Sequence, residues 1–503
     1  MPASQWIPLV WCVLGLAGIA SLGRLLCSVF AGVPRHRLWN DQGGRLGFGF
    51  LVGSVVIGLQ MLVAGYAGVP FSRGLAVGVW ALPTLACVLL LRARGSVSGG
   101  KANHSVTTVS SPGLAATGWH RAAMFCAAVA LGGYVIALAW TTVSYGASFP
   151  DAHAIWLLKA RVFFQDLGFS GVYWSDWPES HDRRGYPPGV PLLVTWLYLL
   201  IGSADSQAEK LLWVAFLVAT SGVIGSALRR CDRPRWALVA VVLTLACPQS
   251  VLLTLWGTAD LPLAAYTLGA VVVAVDWLSR SKPARPPWLV GVLLCGAVLS
   301  KAEGAVLLLS VPGAALLGAW LDRRGASALQ VVGGPGKCVS SGMGAQARAL
   351  LTVCSLPACA LASWHIYLGL RGIKVVPFMP AGAASSGGVH ERLGLVIEAA
   401  GKQFAAPSWL YIWPLATAAA VFAVWLGLRG RLDRPGWAAL ICSVVVACQL
   451  GAYACVWLAF RGDLAYFLST TVARIPYHVW PTALLGLMYF VARAAPMTCD
   501  REP

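Results

Sequence analysis

Long apolar runs carrying few charges recur along this chain, at residues 6–30, 46–68, 74–91, 122–143, 211–228, 236–253, 261–278, 288–299, 304–321, 349–370, 409–428, 437–458 and 477–491. A helix needs roughly 20 apolar residues to cross the hydrocarbon core of a bilayer. Lipid offers no partner for backbone polar groups, so a spanning segment must satisfy its own. The pattern predicts an all-α, polytopic integral membrane protein with about 13 transmembrane helices, of which 288–299 is the shortest. Charged residues make up 11% of the chain, against about 25% in soluble domains. The first run is long and has no basic segment before it, so no cleavable signal is expected.

Sidedness follows from the positive charge, which loops on the cytoplasmic side retain. If the 34–45 loop is cytoplasmic, alternation puts 92–121, 229–235, 280–287, 322–348, 429–434 and the C-terminal tail on the same side. Most of the 37 Lys and Arg then lie there, and the larger share of the 19 acids lies opposite. That places the N-terminus outside and the C-terminus in the cytoplasm of a cell membrane, and a bacterial inner membrane is compatible. The alternation closes only if 187–201 does not cross, so that segment is expected to be re-entrant or to lie on the outer face.

The formal charge of +18 is then mainly a topology signal, with attraction to anionic lipid headgroups added. Charge scattered over short loops does not make a nucleic-acid surface. None of the 14 cysteines lies in the large outer loops, and no CxxC pair suggests a metal or a disulfide framework. Gly- and Ser-rich stretches at 95–118 and 325–346 read as cytoplasmic connectors. Residues 1–91 are set apart as a three-helix preface, with 92–121 as linker.

The polar residues concentrate in the outer loop at 144–210. Asp151 opens an amphipathic segment in which Ile155, Trp156, Leu158, Val162 and Phe163 would face lipid, while His153, Lys159, Gln165 and Asp166 would stay near water. Taken alone, Asp151 is equally a helix cap. It has company, however: Lys159, Arg161, His181, Asp182, Arg183, Arg184 and Tyr186 share the loop. Asp260, Lys301 and Glu303 return to the same side at later helix ends, where ionisable residues cut into apolar sequence point to function. Asp260, just before Pro262, has its own reading as a cap. Arg474 could meet a lipid phosphate or merely snorkel, and His365 and His478 read as structural.

Together these elements resemble the membrane glycosyltransferases of the GT-C fold, closest to the protein O-mannosyltransferase and aminoarabinose transferase branch with its bacterial members of unassigned substrate. The resemblance rests on Asp151 after the first helix of the module, Tyr186-Pro187-Pro188, Asp260 in an Ala-Asp-Leu-Pro context, and Lys301 between two helices. It covers 122–503, with outer loops at 144–210 and 371–408. Two departures stand out: Ala152 follows Asp151 where the family commonly has Glu, and Arg183 and Arg184 stand near Tyr186 where related enzymes often have Lys before Pro-Pro.

The resemblance implies transfer of a sugar from a polyprenyl-phosphate donor to a hydroxyl or amine of a lipid, glycan or protein acceptor, with inversion. Asp151 would be the base and Asp260 a second catalytic carboxylate. Lys159, Arg183, Arg184, Tyr186, Lys301 and Arg474 would hold the donor phosphate, and His153, Trp174, Trp177 and Glu303 would bind substrate. Some branches of the family also use a divalent cation, Mg2+ or Mn2+. The glycine-rich middle of the 372–404 loop suits a mobile flap. Rival readings are a flippase or other transporter of lipid-linked glycans, which would need charge in mid-membrane, and an O-antigen ligase.

Overall fold

The computed structural model describes residues 6–30, 41–97, 118–145, 149–169, 184–231, 234–278, 287–330, 343–373, 388–429, 433–460 and 462–494. Among these residues every regular element is a helix. The α-helices are α1 (Trp6–Phe30), α2 (Gln42–Tyr66), α3 (Arg73–Val97), α4 (Gly118–Ser144), α5 (Leu158–Gln165), α6 (Gly189–Ile201), α7 (Leu211–Arg229), α8 (Pro234–Ala246) and α9 (Pro248–Trp256). They continue with α10 (Asp260–Leu278), α11 (Trp288–Ser300), α12 (Leu307–Gln330), α13 (Met343–Leu370), α14 (Val389–Phe404), α15 (Ile412–Leu428), α16 (Arg434–Ala459), α17 (Leu464–Thr471) and α18 (Trp480–Ala494).

All the apolar runs are helical, but fewer than 13 have the length of a span. Nine helices among the described residues are long and apolar enough to cross a membrane. A tenth results if α8 and α9, bent by 48° at Cys247-Pro248, count as one broken span. Pro248 sits in the first turn of α9, where its missing N–H costs nothing. The apolar helices α11, Ala302–Gly318 and α15 fall short of the length. The chain is a multi-pass membrane protein.

Close packing comes from glycine, the residue that lets helix backbones touch. A methyl group at Gly23 of α1 would sit 1.8 Å from the Gly49 carbonyl oxygen of α2, and one at Gly53 would sit 1.9 Å from that of Ile19. Gly47 of α2 and Gly222 of α7 bring those two helices together, since a methyl group on them would sit 2.7 Å from the Ala219 carbonyl oxygen and 2.6 Å from that of Gly43. Buried residues of α1 and α2 therefore belong to the same core as those of α6, α7, α10 and α11. Inside that core Ser54 of α2 and Tyr266 of α10 share a hydrogen bond of 2.7 Å.

All 13 residues of α6 are buried, among helices that include α1, α2, α3, α5 and α11, so the segment is enclosed by protein. Gly202, with φ 85°, ends it in the left-handed region. Likewise Ile155, Trp156 and Phe163 are buried in the common core and not turned to lipid. Lys159, expected near water, is only 1% exposed.

One end of the bundle is pinned by ion pairs. Arg229 pairs with Asp41, the N-cap of α2, Arg230 with Asp276 at 2.7 Å, and Arg493 with Asp433, the N-cap of α16, at 3.0 Å. Asp260 lies 16 residues before Asp276 on α10, about 24 Å away at 1.5 Å per residue, so it marks the other end.

Candidate functional site

At that other end four separate stretches of chain converge. Asp260, in the first turn of α10, is 1% exposed. Lys301 lies in an extended residue between α11 and the 3-10 turn Ala302–Val306. The chain folds back tightly there because Gly304 rests against the Ala297 carbonyl, 2.4 Å from where a methyl group would be. Arg474 caps the 3-10 turn Ile475–Val479 that leads into α18, and His478 lies within that turn. Asp151 opens the π-helical turn Ala152–Leu157.

The contacts are ionic. Lys301 Nζ is 2.9 Å from Asp260 Oδ1 and 3.0 Å from Glu303 Oε1. Arg474 Nη1 donates to Asp151 Oδ2 at 2.5 Å, and its Nε lies 3.5 Å from Asp260 Oδ2, an ion pair without hydrogen-bond alignment. Burial disfavours the Arg474 charge, but Asp260 and Asp151 outweigh that and hold the guanidinium above its ordinary pKa. The Arg474 guanidinium also sits 5.2 Å over the Phe149 ring, which stacks on Trp256.

Behind Asp260 runs a relay of neutral groups. His478 Nε2 lies 2.6 Å from Asp260 Oδ1, and His478 Nδ1 lies 2.6 Å from the Tyr453 hydroxyl. Gln449 Nε2 donates to that hydroxyl at 2.7 Å and to the Glu303 carbonyl oxygen at 3.1 Å. With its oxygen accepting from Gln449, Tyr453 donates to His478 Nδ1, and His478 donates through Nε2–H to the carboxylate. A neutral imidazole satisfies every bond in the chain. Three carboxylates thus face two permanent cations, Lys301 and Arg474.

The sequence placed Asp151, Asp260, Lys301, Glu303 and Arg474 at one site, and they meet. The capping role open to Asp151 is not taken, since its carboxylate makes no bond to the helix start. Asp151 is 40% exposed, Asp260, Lys301 and His478 are buried and Arg474 nearly so, and one Glu303 carboxylate oxygen is buried as well, so the cluster reaches the surface of the bundle at Asp151. Tyr186 lies within electrostatic reach of Lys301 and Arg474 and packs edge-on against Trp156.

Other expected members stand apart. Lys159 donates to the carbonyl oxygens of Arg184 at 3.3 Å and Tyr186 at 3.0 Å, tying down the Tyr-Pro-Pro segment where a phosphate ligand was expected. Arg184 is buried and His153 exposed on the first turn of the π-helix. Arg183, Trp174 and Trp177 lie outside the described residues, as do His181 and Asp182. His478, read as structural, is a direct partner of Asp260, and Tyr453 and Gln449 were not singled out. A His four residues after an Arg in an apolar segment was the only available signal.

Among the described residues no group of three or more His, Cys, Asp or Glu is arranged to hold a metal. Asp260 already faces Lys301, Arg474 and His478, so this donor set does not fit a divalent ion. No protein-family model, no curated protein and no solved structure matches the chain.

Proposed function

We propose that this protein is a membrane glycosyltransferase that moves a sugar from a polyprenyl-phosphate donor to an acceptor hydroxyl at the outer face of a cell membrane. The observation that carries the reading is the bridge made by Arg474, which joins a half-exposed carboxylate, Asp151, to a fully buried one, Asp260. A donor phosphate reaching the site would compete with Asp151 for the exposed side of Arg474. Asp260, Lys301 and the His478 relay would keep the guanidinium aimed.

Binding of the donor would then release the base. The acceptor oxygen attacks the anomeric carbon as its proton passes to the freed Asp151 carboxylate. The bond from that carbon to the phosphate oxygen breaks, and its electron pair leaves with the phosphate, whose added charge Arg474 and Lys301 stabilise. Attack opposite the leaving group inverts the centre, as in inverting hydrolases.

The same reading extends to topology. Lys301 meets Asp260, so α11 must run back along α10 to the site end despite its 13 residues. The segment just before α15 reaches Tyr477 through Trp409, and beyond α15 lies Asp433, paired to Arg493 at the far end. Counting α11, α15, the apolar segment Ala302–Gly318 and the α8–α9 pair as passes beside the nine long helices gives about 13 crossings, with α6 outside the count. The ion-paired end carrying Arg229, Arg230 and Arg493 faces the cytoplasm, and the N-terminus lies outside. A transporter would carry its charges along a path through mid-membrane, whereas these gather at one end.

The test is donor consumption in proteoliposomes supplied with a panel of polyprenyl-phosphate sugars, wild type against Asp151→Asn. Consumption of a donor by wild type and its loss in the variant supports the reading. Equal consumption removes Asp151 from the reaction. Use of diphosphate-linked glycans alone gives the site to a ligase or flippase.

A further inference from the structure

One helix at the site end takes no part in the chemistry above. α14 reads VHERLGLVIEAAGKQF. At about 100° per residue, Val389, Leu393, Val396, Ile397, Ala400 and Phe404 fall within one arc of about 100°. Glu391, Glu398 and Lys402 fall on the opposite side, where Lys402 pairs with Glu398 one turn earlier. Leu395 is the one large apolar side chain off the arc. With 16 residues and a charged face, this helix is not built to cross a bilayer.

Contacts near both ends fix where α14 lies. Near its start Arg392 donates to the carbonyl oxygens of Leu458, at 3.1 Å, and Phe460, in the last turn and at the C-cap of α16. At its end Phe404 stacks on Trp413 at 4.9 Å, in the first turn of α15. α16 starts after Asp433, which pairs with Arg493 at the far end of the bundle, so Leu458 and Phe460 mark the site end. Trp413 lies there too, since its neighbour Trp409 packs on Tyr477, next to His478. Arg392 and Phe404 are about 18 Å apart along the helix at 1.5 Å per residue, yet both contacts are at one end of the bundle, so α14 runs across that end and not along the spans.

Protein covers only part of the apolar arc. Arg392 and Val396 are buried, and Val396 packs in a group that includes Tyr453 and Trp457 of α16, Phe467 of α17 and Ile475. Next to it on the helix, Val389 is 75% exposed, Ile397 62% and Leu393 40%. The helix therefore has three sectors: one against the bundle, one apolar and uncovered by the described residues, and one charged. Association with a second copy of the chain needs a contact of roughly 1,200–2,000 Å², more than three side chains supply. The uncovered arc also continues a surface that faces lipid. Val456, two residues before the Leu458 carbonyl that Arg392 holds, is exposed on the membrane-spanning α16.

We infer that α14 is an interfacial helix whose partner is the phospholipid leaflet at the Arg474 end, with Val389, Leu393 and Ile397 seated among the acyl chains and Glu391, Glu398 and Lys402 in water. The seat is apolar and not electrostatic. Two Glu and one Lys make up the opposite face, and Arg392 is turned to α16, so anionic headgroups add no attraction. The inference holds whatever reaction the site performs. Its consequence is one of depth: Ile475 follows Arg474, Tyr453 bonds His478, and both pack in one group with Val396. The leaflet that holds α14 thus sets the charge cluster at headgroup level, where the phosphate of a lipid carrier would lie under the function proposed above.

Photo-crosslinking of the full chain in phosphatidylcholine nanodiscs tests this, with benzoylphenylalanine in place of Ile397 or, separately, of Glu398, and adducts identified by mass spectrometry. Both side chains are exposed, so neither replacement disturbs the core. Lipid adducts should be about tenfold more abundant at 397 than at 398, because the apolar face of such a helix sits about 5–10 Å into the headgroup boundary. Their yield should not change when anionic phosphatidylglycerol is added. Equal lipid adducts at the two positions, or none at either, overturn the inference. Adducts from 397 to residues 374–387 or to a second copy give the face to protein and overturn it as well. Adducts that form only with anionic lipid make the attachment electrostatic and count against the apolar seat. Turnover is not read, so none of these outcomes bears on the proposed reaction.

Discussion

Asp151 and Arg474 are 323 residues apart in the chain and meet at 2.5 Å, and the same guanidinium reaches Asp260. The turn that opens at Asp151 and the turn that leads into α18 are therefore tied through a contact that a competing anion could open, while the contact behind it stays closed.

Replacing Asp151 with Asn should separate chemistry from binding. Turnover falls by about 10²–10⁴-fold, the usual contribution of a positioned base. Affinity for bare polyprenyl phosphate rises, because Arg474 no longer has a competing carboxylate. Turnover at wild-type level, or weaker carrier binding, rules out the exchange of partners at Arg474.

Asp260 is held by charge on several sides, so Asp260→Asn should destabilise the protein more than its small change in shape suggests. Removing one partner of a buried ion pair costs about 3–5 kcal/mol. The double variant Asp260→Asn/Lys301→Met should recover part of that loss, because it no longer leaves the Lys301 charge short of a partner. Unfolding in mixed micelles measures both, and a double variant no more stable than the single one disproves the coupling.

Tyr453→Phe deprives His478 Nδ1 of its donor and leaves the Gln449 amide one acceptor short. Stability should fall by about 1 kcal/mol. Turnover should drop without a change in carrier affinity, since the relay aims Asp260 and touches no substrate. A change confined to affinity would place Tyr453 in the binding surface instead.

Much of this site was legible in the sequence, because an Asp or Lys interrupting apolar sequence is expensive and therefore conspicuous. Asp151, Asp260, Lys301, Glu303 and Arg474 were found that way. His478 was not: a single imidazole in an apolar run is ordinary, and only the fold brings it to Asp260. Lys159 was misplaced for a different reason. Periodicity shows that Ile155, Trp156 and Phe163 share a face, but lipid and protein interior are equally apolar, so the pattern cannot say which of them covers it. The short helices α11 and α15 raise the matching difficulty, since their role follows from what lies at each end and not from their length.

The glycine contacts between α1 and α2 predict a sharp asymmetry. Gly53→Val forces side-chain atoms into the Ile19 carbonyl and should cost about 1–3 kcal/mol or more. Gly78→Ala of α3, with open space around it, should be neutral or slightly stabilising, as alanine is the better helix former. Thermal unfolding of the two variants side by side decides it, and equal stabilities would mean that α1 and α2 do not pack this closely.

The bond between Ser54 and Tyr266 joins positions 212 residues apart, and α2 finds its neighbours α7 and α10 only once both exist. At synthesis rates of about 5–20 residues per second, the ribosome needs roughly 10–40 s to extend the chain from one partner to the other. Through that interval the glycine-lined face of α2 has α1 beside it but not the later helices. The opening segments of this protein must therefore wait, inserted but incompletely assembled, for the middle of the chain to arrive, and a stalled or truncated nascent chain should be a ready target for quality control.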